Sequence, residues 1–277
     1  MDVLSTEWIR AIWPRPPRDG SKYDRGHVVV VSGGPEATGA ARLAARAALR
    51  IGAGLVTVAS PSSALQINAA ALTAVMVRRC DGWAGLETIL ADSRRNVVVM
   101  GPGLEPDEET RRMAEIALSA QRRVVLDAGA LSAFAGQEKR LRRAIERSSH
   151  QIILTPHEGE FSRLFPDIAG DRQERAHAAA RQSGAVLVLK GRGTLVAAPD
   201  GRIAIDTMGP QSLGTAGTGD VLAGFCGGLL AQGLAAFEAA AAAVWMHSAA
   251  AVQFGPGLIA EDLEAEVPEV LGAYTIL

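Results

Sequence analysis

HVVVVSGGPEATGAARLAARAALRI, residues 27–51, runs from a strand-sized apolar segment through a glycine-rich loop into a long helical stretch. His27 to Val31 carries four valines in succession. It is too short for an apolar helix and lacks the alternation of a half-exposed strand, which predicts a strand covered on both faces. A helix is expected from Ala40 to Ile51. The same succession then recurs. Leu55 to Ala59, Val97 to Met100, Val124 to Leu126, Ile152 to Leu154 and Ala185 to Leu189 are each short and apolar. Helix-forming stretches follow at Pro106 to Ala120, Glu160 to Phe165 and Asp171 to Ser183. Strands alternating with helices predict an α/β fold, a three-layer α/β/α sandwich with a largely parallel central sheet.

Thr194 to Ala198 and Arg202 to Asp206, joined across Pro199-Asp200-Gly201, read as a hairpin. Val221 to Ala231 and Ala235 to Phe254 are apolar on most sides and are expected to be buried helices. Glu261 to Leu271 reads as a last, partly polar helix. Residues 1–21 read as an irregular N-terminal segment, since Trp13-Pro14-Arg15-Pro16-Pro17 cannot continue a helix. Trp8 and Trp13 are expected to pack onto the body of the domain or onto another subunit. No repeat, low-complexity linker or break in composition divides the chain, so residues 1–277 are expected to form a single domain.

Composition narrows the function. Hydrophobic residues make up 48% but aromatics only 4%, so the core must be mainly Ala, Val, Leu and Ile. A formal charge of -2 offers no basic field for a nucleic-acid backbone. Cys80 and Cys226 show no metal-ligand spacing and fit a reducing compartment. No run reaches the roughly 18 apolar residues of a membrane span. A soluble, cytoplasmic protein is expected, acting on a small molecule.

The chemistry concentrates where predicted strands end, as ligand sites do in open parallel sheets. Leu213-Gly214-Thr215-Ala216-Gly217-Thr218-Gly219-Asp220 places three glycines ahead of a helix, where unpaired amides and the helix dipole suit a phosphate. Asp220 adds a like charge that anion binding alone would disfavour; a base taking a proton from an attacking hydroxyl accounts for it. An acid that merely favours the helix start accounts for it too. Lys190-Gly191-Arg192-Gly193-Thr194 suits nucleotide phosphates or ribose. Thr155-Pro156-His157-Glu158-Gly159-Glu160 gathers a histidine and two acids, and Glu160 could hold water on a divalent cation. Asp127, also at a strand end, is either an active-site acid or a helix cap. Arg42, Arg46 and Arg50 form either a solvated helix face or a basic rim, and His247 reads as a satisfied core histidine. Neither the dinucleotide-binding G-x-G-x-x-G nor a G-x-x-x-x-G-K-[ST] phosphate loop is present.

Taken together, KYDRGHVVVVSGGPEATGAARLAARAALRIGAGLVTVASP, VVVMGPGL, VVLDAGAL, ILTPHEGEF, VLVLKGRGT and LGTAGTGDVLAG resemble, in that order, the ADP/ATP-dependent NAD(P)H-hydrate dehydratases of the ribokinase-like superfamily. The resemblance covers about residues 22 to 272. It implies an ADP-dependent lyase that dehydrates the (S)-epimer of hydrated NADH or NADPH, releasing AMP and phosphate. Asp220 would be catalytic. Lys190, Gly191, Arg192, Gly193, Thr194, Gly217, Thr218 and Gly219 would contact the adenine nucleotide. Ala40, Gly103, His157 and Asp220 would contact the hydrated dinucleotide, and Glu160 would be linked to Mg²⁺. A homo-oligomer, favouring a tetramer, is implied. The chain departs from the family pattern in three places. Pro35-Glu36-Ala37 stands where a Gly-Tyr pair is common, Gly129 where a second acid follows Asp127-Ala128, and Glu158 where proline is usual. A small-molecule kinase of the same superfamily would share many of these motifs and differ in releasing a stable phosphorylated product.

Overall fold

In the computed structural model, which describes residues 2–15, 19–148 and 151–274, the apolar runs assemble into one ten-stranded sheet. The strands are β1 (Asp2–Val3), β2 (His27–Val31), β3 (Leu55–Ser60), β4 (Met76–Arg79), β5 (Val97–Met100), β6 (Arg123–Leu126), β7 (Ile152–Leu154), β8 (Val186–Leu189), β9 (Leu195–Ala197) and β10 (Ile203–Ile205). Their order is β1-β10-β9-β8-β7-β6-β5-β2-β3-β4. Pairing is parallel from β8 across to β4. β8, β9 and β10 pair antiparallel, as the expected hairpin requires.

Side chains of β2 show how three layers arise. Successive residues point to opposite faces. Val28 and Val30 enter the apolar cluster on one side of the sheet, Val29 and Val31 the cluster on the other, and all four are buried. Helices Thr38–Arg50, Thr218–Ala231 and Ala236–Phe254 cover the Val28 face. Helices Gly82–Leu90, Glu108–Ser119, Glu158–Leu164 and Arg172–Ser183 cover the opposite one. The first layer uses small residues because its helices touch backbone to backbone. A Cβ added at Gly224 would stand 2.2 Å from the carbonyl oxygen of Ala44, and one at Gly228 would stand 2.6 Å from that of Ala48. This close approach fixes where helix Thr218–Ala231 begins relative to the rim of the sheet.

Two expectations are corrected. The irregular segment expected over residues 1–21 contains β1, paired parallel with β10, and the helix Thr6–Ile12. Ser5 caps that helix by accepting the Trp8 amide at 3.3 Å, and Leu4, Ile9 and Trp13 are buried in the core. The helix stops before Pro14 as expected; residues 16–18 lie outside the described residues. Both tryptophans pack onto the body, Trp8 edge-to-face on Phe237. The helix expected over Glu261 to Leu271 is two, Ala260–Ala265 and Val267–Ala273. Pro268 has no N–H for the preceding turn, and its ring excludes a continuous helix through that point.

β2 is the switch point of the sheet. From it the chain proceeds to β3 and β4 on one side, and β5 to β8 then build outward on the other. Loops leaving β2 and β5 therefore diverge, opening a crevice at their carboxyl ends.

Candidate active site

The loops after Val31, Met100, Leu126, Leu154 and Leu189 share one rim, because their strands run parallel. At the β7–β8 end, His157 and Lys190 face each other in an isolated parallel bridge, and the Lys190 amide donates to Pro156 at 2.9 Å. Above this bridge opens a cavity of about 960 Å³, lined in part by His157, the segment 190–194, Asp206, Thr218, Gly219 and His247. It is large enough for a nucleotide.

One wall of the cavity is the start of helix Thr218–Ala231. Gly217 precedes it at φ +88°, a conformation that glycine adopts without a Cβ penalty. The Thr218 hydroxyl lies 2.7 Å from Leu213 O and 2.9 Å from Thr215 O, closing the turn. His247 donates its Nε2 proton to the Thr218 carbonyl at 2.8 Å. Burial first, and then the Lys190 charge, holds its pKa down at about 4. It is thus the satisfied core histidine expected, although it also lines the cavity. Among the described residues, the amides of Gly219 and Asp220 find no backbone acceptor. Two donors at the positive end of the helix dipole therefore remain free for an anion.

Four charges meet beside these amides. Lys190 Nζ donates to Asp127 Oδ1 at 2.6 Å, and Asp127 is 1% exposed. A Cβ at Gly219 would lie 3.4 Å from that Nζ and 4.0 Å from Asp127 Oδ2, so the helix start presses against the pair. Asp127 occupies the N-cap position of the helix Ala128–Ser132 yet caps nothing with its side chain, so of its two readings the cap is excluded. Desolvation is the largest single influence on the Lys190 pKa and lowers it, but Asp127, then Glu160, then Asp220 together outweigh it, for a net rise. Asp220 is half-buried, and no hydrogen bond reaches its carboxylate from the described residues. Desolvation, reinforced by the Asp127 charge and opposed by Lys190, raises its pKa to about 6. That places it where a general base works near neutral pH.

His157 and Glu160 are organised by each other. His157 Nδ1 accepts the amides of Gly159 at 2.9 Å and Glu160 at 3.3 Å, which puts the ring proton on Nε2, free to donate into the cavity. Glu160 Oε2 takes the His157 amide at 2.9 Å, completing a capping box for the helix Glu158–Leu164. Its Oε1, 3.6 Å from His157 Nε2, remains available. Among the described residues no three His, Cys, Asp or Glu side chains converge as a protein-only metal cluster. Asp127, Glu160 and Asp220 all act on the Lys190 ammonium, so three carboxylates and one cation gather at this end of the cavity.

The segment after Lys190 is shaped from behind. Arg172 donates from Nη1 to the Gly193 carbonyl at 2.9 Å and to that of Arg192, and from Nη2 to that of Leu189 at 3.3 Å. Glu158 holds Arg172 Nε at 2.7 Å and Arg175 Nη2 at 2.6 Å. The glutamate that replaces the usual proline therefore anchors the arginine that folds the cavity-lining loop 190–194. Arg172→Ala should raise KM for nucleotide about tenfold, equivalent to ~1.4 kcal/mol of binding, with kcat nearly unchanged. Steady-state kinetics with varied nucleotide reads this directly.

The remaining predicted contacts lie beside this cavity, not in its wall. Ala40 and Gly103 stand together at the switch point, where a Cβ on Gly103 would be 3.4 Å from Ala40 Cβ. Gly101 touches Asp127, since its Cβ would fall 1.8 Å from the Asp127 carbonyl oxygen, so the switch-point loop adjoins the charged cluster. Gly129 is occupied territory: a side chain there would meet the Leu104 carbonyl at 1.9 Å. The second acid of the usual pattern has no room in this chain. Arg46 and Arg50 do not rim the nucleotide-sized cavity; both pair with the buried Glu264. Sequence reasoning missed Asp206, which is 3% exposed and accepts Ser248 Oγ at 2.7 Å and the Gly209 amide at 3.1 Å on the cavity's far side. Its one signal was an acid at the end of a hairpin strand.

Comparison with known proteins bears on the family and the fold. The family model for NAD(P)H-hydrate dehydratase matches residues 28–265. The chain is 37% identical to the bifunctional NAD(P)H-hydrate repair enzyme of Salinibacter ruber, over 95% of the chain and 51% of that protein. It therefore spans about half the length of the curated relatives it matches first. It is 34% identical to the ADP-dependent (S)-NAD(P)H-hydrate dehydratase of Xanthomonas campestris, covering 93% of the chain and 92% of that enzyme. Among solved structures it is similar to the ADP/ATP-dependent NAD(P)H-hydrate dehydratase of Bacillus subtilis co-crystallised with ATP and Mg²⁺. The TM-score is 0.85 at 28% identity, with 99% of this chain and 98% of that one covered.

Proposed function

Because the chain belongs to the NAD(P)H-hydrate dehydratase family and has the ribokinase-like fold, we propose that it repairs hydrated nicotinamide cofactors. The substrate is the (S)-epimer of hydrated NADH or NADPH, the co-substrate is ADP, and the products are the reduced cofactor, AMP and phosphate. The observation that carries this reading is Asp220. It stands on the first helical turn beside two free amides, next to Lys190 and with its proton affinity raised.

In this mechanism the nucleotide occupies the cavity of about 960 Å³, its base and ribose toward the segment 190–194 and its phosphates at the helix start. The hydrated ring lies toward Ala40, Gly103 and His157. Asp220 takes the proton of the ring hydroxyl as that oxygen bonds to the terminal phosphorus of ADP and AMP departs. The amides of Gly219 and Asp220 and the ammonium of Lys190 receive charge from the transferring group. The ring C–O bond then breaks, phosphate leaves with the bonding pair, and loss of a ring proton restores the double bond. Hydroxide is a poor leaving group and phosphate a good one, which is why a nucleotide is consumed. Glu160, with its available Oε1, would hold Mg²⁺ through water. The bound ion would neutralise phosphate charge. The reading extends to residues 1–277 as one domain and to a cytoplasmic homo-oligomer, a tetramer foremost, whose mass light scattering measures.

Purified protein mixed with hydrated NADH and ADP should regain the near-ultraviolet absorbance of the dihydronicotinamide and release phosphate one for one. A stable phosphorylated product without that absorbance would identify a kinase instead. The pH profile follows from Asp220. The base form exists above its pKa of about 6, so kcat/KM should fall as pH drops through 6 and be flat above it until another group titrates. An acid limb below pH 4.5 would mean that the base is a carboxylate in an ordinary environment.

A further inference from the structure

We infer that Asp127 is a positioning residue for the reaction: it captures the ammonium of Lys190 and so keeps the Asp220 carboxylate unpaired. This deepens, and rests on, the reading of Asp220 as the base. The geometry is specific. Lys190 Nζ and Asp127 Oδ1 are 2.6 Å apart, while no hydrogen bond from the described residues reaches the Asp220 carboxylate. A lysine joined to the base would hold it as a neutralised carboxylate, a poor proton acceptor. Held by Asp127, the same lysine stays at the phosphate end of the cavity, 18% exposed, with Gly219 against it.

The backbone around Asp127 is arranged for this. Its side chain forgoes the N-cap hydrogen bond that an aspartate in that position normally makes. The next residue, Ala128, has φ +42°, a left-handed conformation unfavourable for a residue with a Cβ. Such outliers persist where surrounding structure over-determines them, commonly at functional sites. The Asp127 carbonyl is also clasped by Gly101, which any side chain at that position would displace. The loop therefore gives up a cap and an ordinary backbone conformation, and the acid faces Lys190.

Every charged group near Asp220 enters the expected pH response. Asp127 and Lys190 face it from the ends of β6 and β8, and Glu160 acts on Lys190 from the helix Glu158–Leu164. His247, on the helix Ala236–Phe254, is held neutral by burial at neutral pH. Of these, Asp127 opposes ionisation of Asp220 and Lys190 favours it. Removing the Asp127 charge therefore lowers the Asp220 pKa on both counts, by losing repulsion and by releasing the lysine.

The test compares Asp127→Asn, isosteric and able to accept from Lys190, with Asp127→Ser, which removes the anchor as well. The acid limb of kcat/KM should move from about pH 6 toward the ordinary 3.8, further in the serine variant than in the asparagine one. Turnover at pH 7.5 should fall roughly tenfold or more as the base weakens. ¹³C NMR titration of the Asp220 carboxyl in the nucleotide-free protein reads the same shift without any need for activity. An unmoved carboxyl titration overturns the inference. So does a raised Mg²⁺ requirement with the acid limb fixed, which would make Asp127 a metal-binding group. Asp220→Asn separates the two claims. If that variant retains turnover, base and positioning residue fall together. If it is inactive while Asp127→Asn leaves the limb in place, only the positioning role falls.

Discussion

Asp220→Asn should lose about 10²–10⁴-fold in turnover, the usual consequence of removing a general base, while ADP affinity stays within a few-fold of the parent. The substitution keeps the shape of the side chain, and the free Gly219 and Asp220 amides proposed to receive the phosphate are backbone groups it leaves untouched. The cavity proposed for the nucleotide also extends along residues 190–194 and Asp206, which are separate from position 220. Stability should move the opposite way to activity. A carboxylate whose folded pKa is raised from 3.8 to about 6 destabilises the native state progressively as pH rises from 3.8 to about 6, and by a constant amount above that, since its charged form is disfavoured on folding. A neutral asparagine removes the penalty, so the inactive variant should have a higher Tm at pH 7.5 and no advantage below pH 4. Calorimetry for binding, scanning calorimetry for stability and phosphate release for turnover separate the three effects. A variant with near-parental turnover would remove Asp220 from the role of base.

The parts of this molecule that were legible in sequence are those where one local rule decides the outcome. A run such as Val28-Val29-Val30-Val31 has no polar position to expose, so it must lie inside a sheet covered on both sides, and β2 does. Gly217 before a helix reads as a turn and is one, at φ +88°. What was not legible depends on partners distant in sequence. β4, with the sequence MVRR, is half exposed at a sheet edge and carries no apolar signature; pairing with β3 makes it a strand. β1 is two residues long and exists by pairing with β10, about two hundred residues away. At the site, Asp127 read as a candidate active-site acid with a helix cap as the alternative, because only the fold brings Lys190 within 2.6 Å of it. Glu158 read as a departure from a pattern until Arg172 and Arg175 were seen around it. Asp206 was missed because its meaning lies in Ser248 and in the cavity it borders, neither near it in the chain.

Lys190→Met should be the most damaging single change to activity and stability together. In the proposed mechanism its ammonium receives charge from the transferring phosphoryl group, so its loss should lower kcat about 10²–10³-fold. It also leaves Asp127, 1% exposed, without the cation that compensates it. Breaking a buried ion pair by removing one partner typically costs ~3–5 kcal/mol, more than the pair itself contributes, because the remaining charge stays desolvated. The lysine side chain is 18% exposed, so water offsets part of this and a loss near ~3 kcal/mol is expected. The double variant Lys190→Met with Asp127→Asn distinguishes the two consequences. Neutralising the orphaned acid should restore most of the stability, since a buried amide is far less costly than a buried carboxylate. It should restore none of the turnover, because no cation remains to face the phosphate. Stability and activity would then separate cleanly in one thermodynamic cycle, measured by denaturant unfolding and by steady-state rate. If the double variant regained turnover, the phosphate-facing charge would have to come from elsewhere, and Arg192, also on the cavity wall, would be the residue to replace next.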